Sequence, residues 1–315
     1  MSDMARRTDR MAGWIADPTW IGWIVGGLVA LAGLAWWAGW LVLIVAVWLA
    51  LWAANAWVAG RSFGRILAPI LFGSTLLVLW EMTVRLFDVP TVILPAPSQI
   101  AQAFAQNTPT LWADFVQTVL KGALSGWLIG SAAGIATALL VARSNVLRRG
   151  LLPVGNFMAA LPIVGTAPIL VMWFGFGWES KAAVVVVMVF FPVLVNTVAG
   201  LADTQAMQRD LMRTYGASPG QTMRYLALPS AFPFVFNGLK IATTLALIGA
   251  IVAEFFGSPT VGMGFRISTE VGRLNLPMVW ASIAVAALAG SLSYGLIALL
   301  ESRLTFWHPS QRARR

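Results

Sequence analysis

No cysteine occurs among the 315 residues, so neither a disulfide framework nor a thiolate metal site can form. This absence leaves the compartment undecided. His308 is the single histidine and lies in the tail FWHPSQRARR, which argues against a histidine metal centre or a histidine catalytic base. Charge is scarce. Charged residues make up 10% of the chain and apolar residues 59%, against about 25% and 45–50% in average soluble domains. The lysines, Lys121, Lys181 and Lys240, sit in TVLKG, WESKA and NGLKI. None belongs to a G-x-x-x-x-G-K-[ST] phosphate loop, so the expectation is a chain that is not an enzyme and does not hydrolyse ATP itself.

What the chain does have is long apolar runs. A membrane span needs about 20 apolar residues. Such runs fall at roughly 20–38, 40–59, 66–86, 119–141, 152–174, 181–201, 231–256 and 278–300. The block after the basic start MSDMARRTDR is too long for a signal-peptide core and is expected to stay as a membrane anchor. An even number of spans puts both termini on one side. If that side is cytoplasmic, Arg6, Arg7, Arg10, Arg61, Arg65, Arg143, Arg148, Arg149, Arg209, Arg213, Arg224, Arg303, Arg312, Arg314 and Arg315 all lie inside. Only Arg85, Lys121, Lys181, Lys240, Arg266 and Arg273 do not. The positive-inside rule then sets the orientation. The net charge of +9 reads as topology, not as a nucleic-acid surface, which would gather charge on one soluble face.

The first two runs read as an anchoring hairpin whose turn is AWWAGW, Ala35 to Trp40. Trp14, Trp20, Trp23 and Trp57 would mark the inner interface, and Trp36, Trp37 and Trp40 the outer one. Past the third run, Pro95 and Pro97 impose an extended chain, and Ser98 is the expected N-cap of a short outer helix ending near Phe104. Gly122, Gly126, Gly130 and Gly134 recur every four residues. They lie on one helix face, where a neighbour can approach closely. Glu81 has Arg85 four residues on, a helix ion-pair spacing. Glu254 has no local partner in the sequence.

RTYGASPGQTMRYLALPSAFP, Arg213 to Pro233, is polar and turn-rich between two apolar runs. Asp203 is the expected cap of a helix starting near Thr204. Met207, Leu211, Met212 and Tyr215 form a stripe on it, and Gly216 is its left-handed stop. Ser218-Pro219-Gly220-Gln221 reads as a capping box with proline at the first helical position. A second short helix follows to about Ala227 and ends at Pro229. Helices this short are marginal alone in water, so a packing partner is implied.

These residues carry a resemblance. Asp210-Leu211-Met212, Gly216 and Leu228-Pro229, with Leu226 at the aliphatic position, are similar in spacing to the EAA loop of ABC-importer permeases. ILPAPSQI, LPIVGTAPILVMWFGFGWESK, FFPVLVNTVAGL and AEFFGSPTVGMGF resemble the nitrate/sulfonate/taurine branch of that family, and the likeness runs from about residue 66 to 302. Asp-Leu-Met replaces the nominal Glu-Ala-Ala, keeping the acid and enlarging the two small residues.

The resemblance implies an all-α integral membrane protein: a six-span type I ABC-importer permease core preceded by an extra two-span hairpin. The domains would be 1–61 for the tail and hairpin, 62–302 for the core with its coupling loop at 202–230, and 303–315 for a basic cytoplasmic tail. It implies ATPase coupling through Asp210, Gly216, Ala217, Ser218, Pro219, Gln221, Leu228 and Pro229. It also implies a pathway between two permease copies, in a homodimer; Thr166, Asn196 and Glu254 are the candidate pathway residues, and hydrogen bonding to backbone or a neighbouring helix is the other reading of Thr166 and Asn196. The implied partners are a cytoplasmic ABC ATPase dimer, which would bind the ATP and magnesium, and an outer substrate-binding protein. This chain would hold no cofactor or metal. The setting would be the bacterial inner membrane with both termini cytoplasmic, and the cargo a small anionic or heterocyclic solute. The alternative is a secondary carrier or channel; scarce ionisable residues in mid-membrane speak against it.

Overall fold

The computed structural model describes residues 19–61, 64–144, 150, 151, 153–155, 157, 162–257 and 260–307, with backbone alone over 19–37 and at 65. Every regular element among them is helical, and six segments are long and apolar enough to cross a membrane. This is the expected fold class. Lipid offers the backbone no hydrogen-bond partners, so a chain this apolar satisfies its amides within helices. The chain divides into two compact units, residues 1–98 and 99–315.

The first unit holds α1 (Thr19–Ala59), α2 (Gly64–Leu86) and the start of α3 (Pro97–Gln106). The turn expected at Ala35–Trp40 is absent, because α1 runs through it as one helix of 41 residues. The stretch has no proline, and its lone Gly39 costs a helix only about 1 kcal/mol. At about 1.5 Å per residue α1 is about 60 Å long, twice the hydrocarbon core. The hairpin is made instead by α1 and α2, where Asn55 Nδ2 donates to Thr75 Oγ1 at 3.2 Å. Trp14 and the basic residues before Thr19 lie outside the described residues.

The Glu81–Arg85 pair forms as expected. Ser98 departs from expectation: it lies inside the first turn of α3 and does not cap it. Its amide donates to Glu81 Oε2 at 2.9 Å and its hydroxyl to Glu81 Oε1 at 2.8 Å. A carboxylate is a stronger acceptor than a neutral group, and it wins the serine.

In the second unit, α4 (Thr108–Phe115) passes through a π-helical stretch (Val116–Ala123) into α5 (Leu124–Val141). Then come α6 (Ile163–Phe174), α7 (Trp178–Ala202), α8 (Ala206–Thr214) and α9 (Pro219–Thr222). A second π stretch (Met223–Ala227) leads into α10 (Leu228–Gly257), followed by α11 (Met263–Gly272) and α12 (Leu276–Leu304). Residues 152, 156 and 158–161, within the span expected at 152–174, lie outside the described residues.

The core is built on α7. Val185, Val189 and Val193, one turn apart, are fully buried with Ala242, Ala246 and Ala250 of α10. On its other side α7 meets the glycine row of α5. A Cβ at Gly126 would stand 2.5 Å from Val185 Cβ and 2.7 Å from the Ala182 carbonyl oxygen. One at Gly134 would stand 2.8 Å from the carbonyl of Phe190. The glycine face is therefore a packing face, as the spacing predicts.

Gly126→Val should lower stability by about 1–3 kcal/mol, the usual cost of overpacking. Gly73→Val, where a Cβ meets nothing within 4 Å, should lower it far less. Thermal unfolding of the two variants in one lipid environment checks this.

Candidate functional site

The polar strip folds nearly as expected at its centre. Tyr215 ends α8, and Gly216 follows at φ 68°. The Gly216 amide donates to the Arg213 carbonyl at 2.9 Å and the Ala217 amide to the Met212 carbonyl at 3.0 Å, the paired bonds of a Schellman stop. The capping box forms in full. The Gln221 amide donates to Ser218 Oγ at 3.2 Å, and the Ser218 amide to Gln221 Oε1 at 2.7 Å. Asp210 pairs with Arg213 at 3.3 Å on the exposed side of α8.

Two expectations are corrected. Asp203 does not cap α8. It closes the C-terminus of α7, while Gln205 and Gln208 make a capping box at the start of α8. Nor does Pro229 end a second short helix. α9, the π stretch and α10 form one run from Pro219 to Gly257. Proline lacks an N–H and clashes with the carbonyl four residues back. The wide π turn just before Leu228-Pro229 changes the hydrogen-bond register there, with the Leu228 amide reaching the Met223 carbonyl. Proline is then accommodated at the second position of α10.

The face of α8 is left open. Met207 is 80% exposed, Leu211 55% and Tyr215 80%. They stand at i, i+4 and i+8 and form one stripe. Met212 alone is half-buried.

At the other end of the unit lies a cluster that the sequence did not reveal. Asp114, Thr118, Lys181 and Glu254 are buried to 1% exposure or less. Thr118 Oγ1 donates to the Glu254 carboxylate at 2.8 Å and accepts from the Met263 amide at 2.7 Å. The Gly264 amide donates to Glu254 Oε2 at 2.7 Å, and the Gly262 amide to Asp114 Oδ1 at 2.8 Å. Three amides at the start of α11 are thus each taken by a different side chain, and two carboxylates meet the positive end of that helix. Arg266 Nε donates to Asp114 Oδ2 at 2.8 Å. Lys181 Nζ donates to the carbonyl of Phe176 at 2.8 Å and to that of Gly257, the last residue of α10.

No hydrogen bond among the described residues joins Thr166, Asn196 and Glu254, the candidate pathway residues. Thr166 is half-buried and its hydroxyl donates to the Ile163 carbonyl of its own helix at 3.3 Å. Asn196 is half-buried and accepts from Asn237 Nδ2 at 3.0 Å. Asn237 is exposed within α10 and has no motif in the sequence to mark it.

Residues 130–306 match the family described as binding-protein-dependent transport system inner membrane component. The chain belongs to this family. Among its relatives is the formylaminopyrimidine transport permease protein of Halalkalibacterium halodurans. That protein is 34% identical over 251 residues, which cover 80% of this chain and 99% of the relative. The riboflavin transport system permease protein of Chloroflexus aurantiacus is 33% identical, over 75% of this chain and 88% of its own. The taurine transport system permease protein of Escherichia coli is 29% identical, over 75% and 87%. The chain is therefore an ABC-importer permease of the branch its motifs resemble, a multi-span membrane protein. Members of this family are transport components and not themselves enzymes.

Thr118→Val removes the hydroxyl that both donates to Glu254 and accepts from Met263. Leaving buried polar groups without partners costs about 1–3 kcal/mol. Faster amide exchange at Met263 and Gly264 than in Thr118→Ser, together with a lower unfolding temperature, is the expected result.

Proposed function

We propose that this chain is the membrane-spanning subunit of an importer driven by a separate ATPase, and that it moves a small anionic or heterocyclic solute handed over by an outer binding protein. One observation carries the reading. A short helix with an exposed Met207–Leu211–Tyr215 stripe is held at a fixed angle by a glycine stop and a complete capping box. A free apolar stripe on a rigidly aimed helix is a docking face, since apolar area left in water has no return until a partner covers it. Asp210, Gly216, Ala217, Ser218, Pro219, Gln221, Leu228 and Pro229 set that aim. ATP and magnesium belong to the partner in this reading.

The relatives' names supply the solute class. They are transport proteins for formylaminopyrimidine and riboflavin, which are heterocycles, and for taurine, an anion-bearing sulfonate. Two copies would enclose the path. Asn196 with Asn237 is the segment best suited to line it, because an exposed amide pair within a span is costly against lipid and at home beside water or a second subunit. Glu254 serves the path by fixing α11, and Thr166 borders it from α6. A carrier or channel working without an ATPase would have no use for the aimed stripe.

In this reading the strip and the C-terminus face the cytoplasm of the inner membrane. Charge and helix continuity pull the N-terminus to opposite sides. Arg6, Arg7 and Arg10 favour the cytoplasm, whereas a single crossing by α1 would carry them outside. A topology reporter fused ahead of residue 1 separates the two. A cytoplasmic signal upholds the charge rule and requires a break in α1 within the bilayer, and an outer signal upholds the unbroken crossing.

Gly216→Val forces a β-branched residue to positive φ, a strain of order 1–3 kcal/mol. It should lower both ATPase retention and solute-stimulated ATP hydrolysis in a reconstituted complex, with Gln221→Ala milder. Met207→Asp combined with Leu211→Asp changes only exposed side chains. It should abolish ATPase retention while the unfolding temperature stays near that of the parent. Normal retention by that double variant would reduce the stripe to an ordinary loop surface.

A further inference from the structure

A cavity of about 910 Å³ opens between the last turns of α5 and α7 and the strip. Its lining includes Arg143, Arg209, Arg213 and Arg224 and, among the described residues, no aspartate or glutamate. Little neutralises these four cations. Arg213 has Asp210 beside it, but the two side chains are 81% and 67% exposed, so water screens the pair. Arg209 is held by Thr204 Oγ1 and the Ala202 carbonyl, neutral acceptors that leave its charge intact. Arg143 and Arg224 have no carboxylate partner among the described residues, and Arg224 has the Tyr225 ring at 5.8 Å.

Val141, Val198 and Leu201, which are buried, and half-buried Leu226 also border the cavity. Val141 is the final residue of one span and Leu201 the next-to-last of another. The cavity therefore sits at the ends of two spans, where hydrocarbon gives way to water. A membrane lipid already carries its headgroup at that depth, whereas a soluble anion must be captured from water. A volume near 900 Å³ also exceeds what one inorganic anion fills and lies within the range of organic-ligand pockets.

We propose that this cavity binds the phosphate headgroup of an anionic membrane lipid, with Arg143 and Arg224 as its principal cations and Arg209 and Arg213 at the rim. Arginine forks match phosphate oxygens in pairs, and basic pockets between span ends are suited to anionic headgroups. The lipid joins elements that are otherwise separate: Arg143 follows α5, Arg209 and Arg213 belong to α8, and Arg224 lies in the π stretch leading into α10. Its presence steadies the docking helix against the membrane surface. The leaflet rests on the orientation proposed above; the binding does not.

The test uses the full chain reconstituted in phosphatidylcholine vesicles containing phosphatidylglycerol and cardiolipin, then released in mild detergent and weighed intact by native mass spectrometry. The parent should retain phosphatidylglycerol or cardiolipin in preference to phosphatidylcholine. Arg143→Gln with Arg224→Gln should retain it about 10- to 30-fold less, since each basic residue near an anionic surface contributes about one kcal/mol. Arg143→Lys with Arg224→Lys should keep most of it, because the charge persists. Equal retention of phosphatidylcholine by the parent, or undiminished anionic-lipid retention by the glutamine pair, overturns the proposal. So does an inorganic-phosphate arm in pure phosphatidylcholine nanodiscs in which phosphate raises the parent's unfolding temperature while no anionic lipid is retained; the occupant is then a soluble anion. Should the glutamine pair fail to fold, the lipid preference of the parent decides alone. No step involves an ATPase or a transported solute, so the outcome is independent of the transport reading.

Discussion

The second unit depends on how closely three helices approach. α7 carries a buried valine row, and its neighbours offer no bulk against it: glycines on α5 and alanines on α10. In lipid the hydrophobic effect gives helices no reason to associate, so contact area at short range has to do it. Gly126 and Gly134 bring the α5 backbone within van der Waals reach of the α7 backbone, and Ala242, Ala246 and Ala250 do the same from α10. With these three helices fixed, the charged groups at one end and the strip at the other fall at set distances along the same axes.

The buried charges at Glu254 illustrate what such fixity permits. An isolated carboxylate inside a membrane protein is costly. Here each group has a stated partner. Glu254 has Thr118 and the Gly264 amide, Asp114 has Arg266 and the Gly262 amide, and Lys181 has two carbonyls. Lys181 closes the C-terminal end of α10 while the two acids meet the N-terminal end of α11. The turn between those helices is thus fastened on both sides by side chains from α4, the first π stretch, α7 and α10. Removing one partner leaves the others buried and unmatched.

Local signals were legible in the sequence and distant ones were not. The glycine row, the Ser218–Gln221 box and the positive φ at Gly216 each follow from residues within four positions of one another. Five of the eight apolar runs lie within separate span-length helices, because span length is set by the bilayer, whereas the first two runs merge into α1. The failures share a cause. Ser98 looked like a cap and was taken by Glu81, 17 residues away. Pro229 looked like a stop, but the register shift in the π stretch just before Leu228 absorbed it. Ala35–Trp40 looked like a turn only because two spans seemed to need one. The Asp114–Thr118–Lys181–Glu254 cluster is closed by a hydrogen bond between positions 136 apart, Thr118 and Glu254, and none of its three charged residues has an opposite charge at i+4 to announce it. A sharper signal was present: four ionisable or hydroxylic residues near the ends of apolar runs.

The unbroken course from Pro219 to Gly257 makes that segment a rod. Its 39 residues extend about 58 Å at 1.5 Å per residue. One end carries the capping box of the strip and the other carries Glu254. A tilt of about 5° around the middle would swing each tip by about 2.5 Å, in opposite directions. That stroke is close to one hydrogen-bond length, enough to seat or unseat the α11 amides on Glu254. The π stretch and Pro233 are the compliant points of the rod, and both lie in its first half. Beyond Pro233 the shaft has no proline, so a push delivered past the compliant section arrives at Glu254 as displacement.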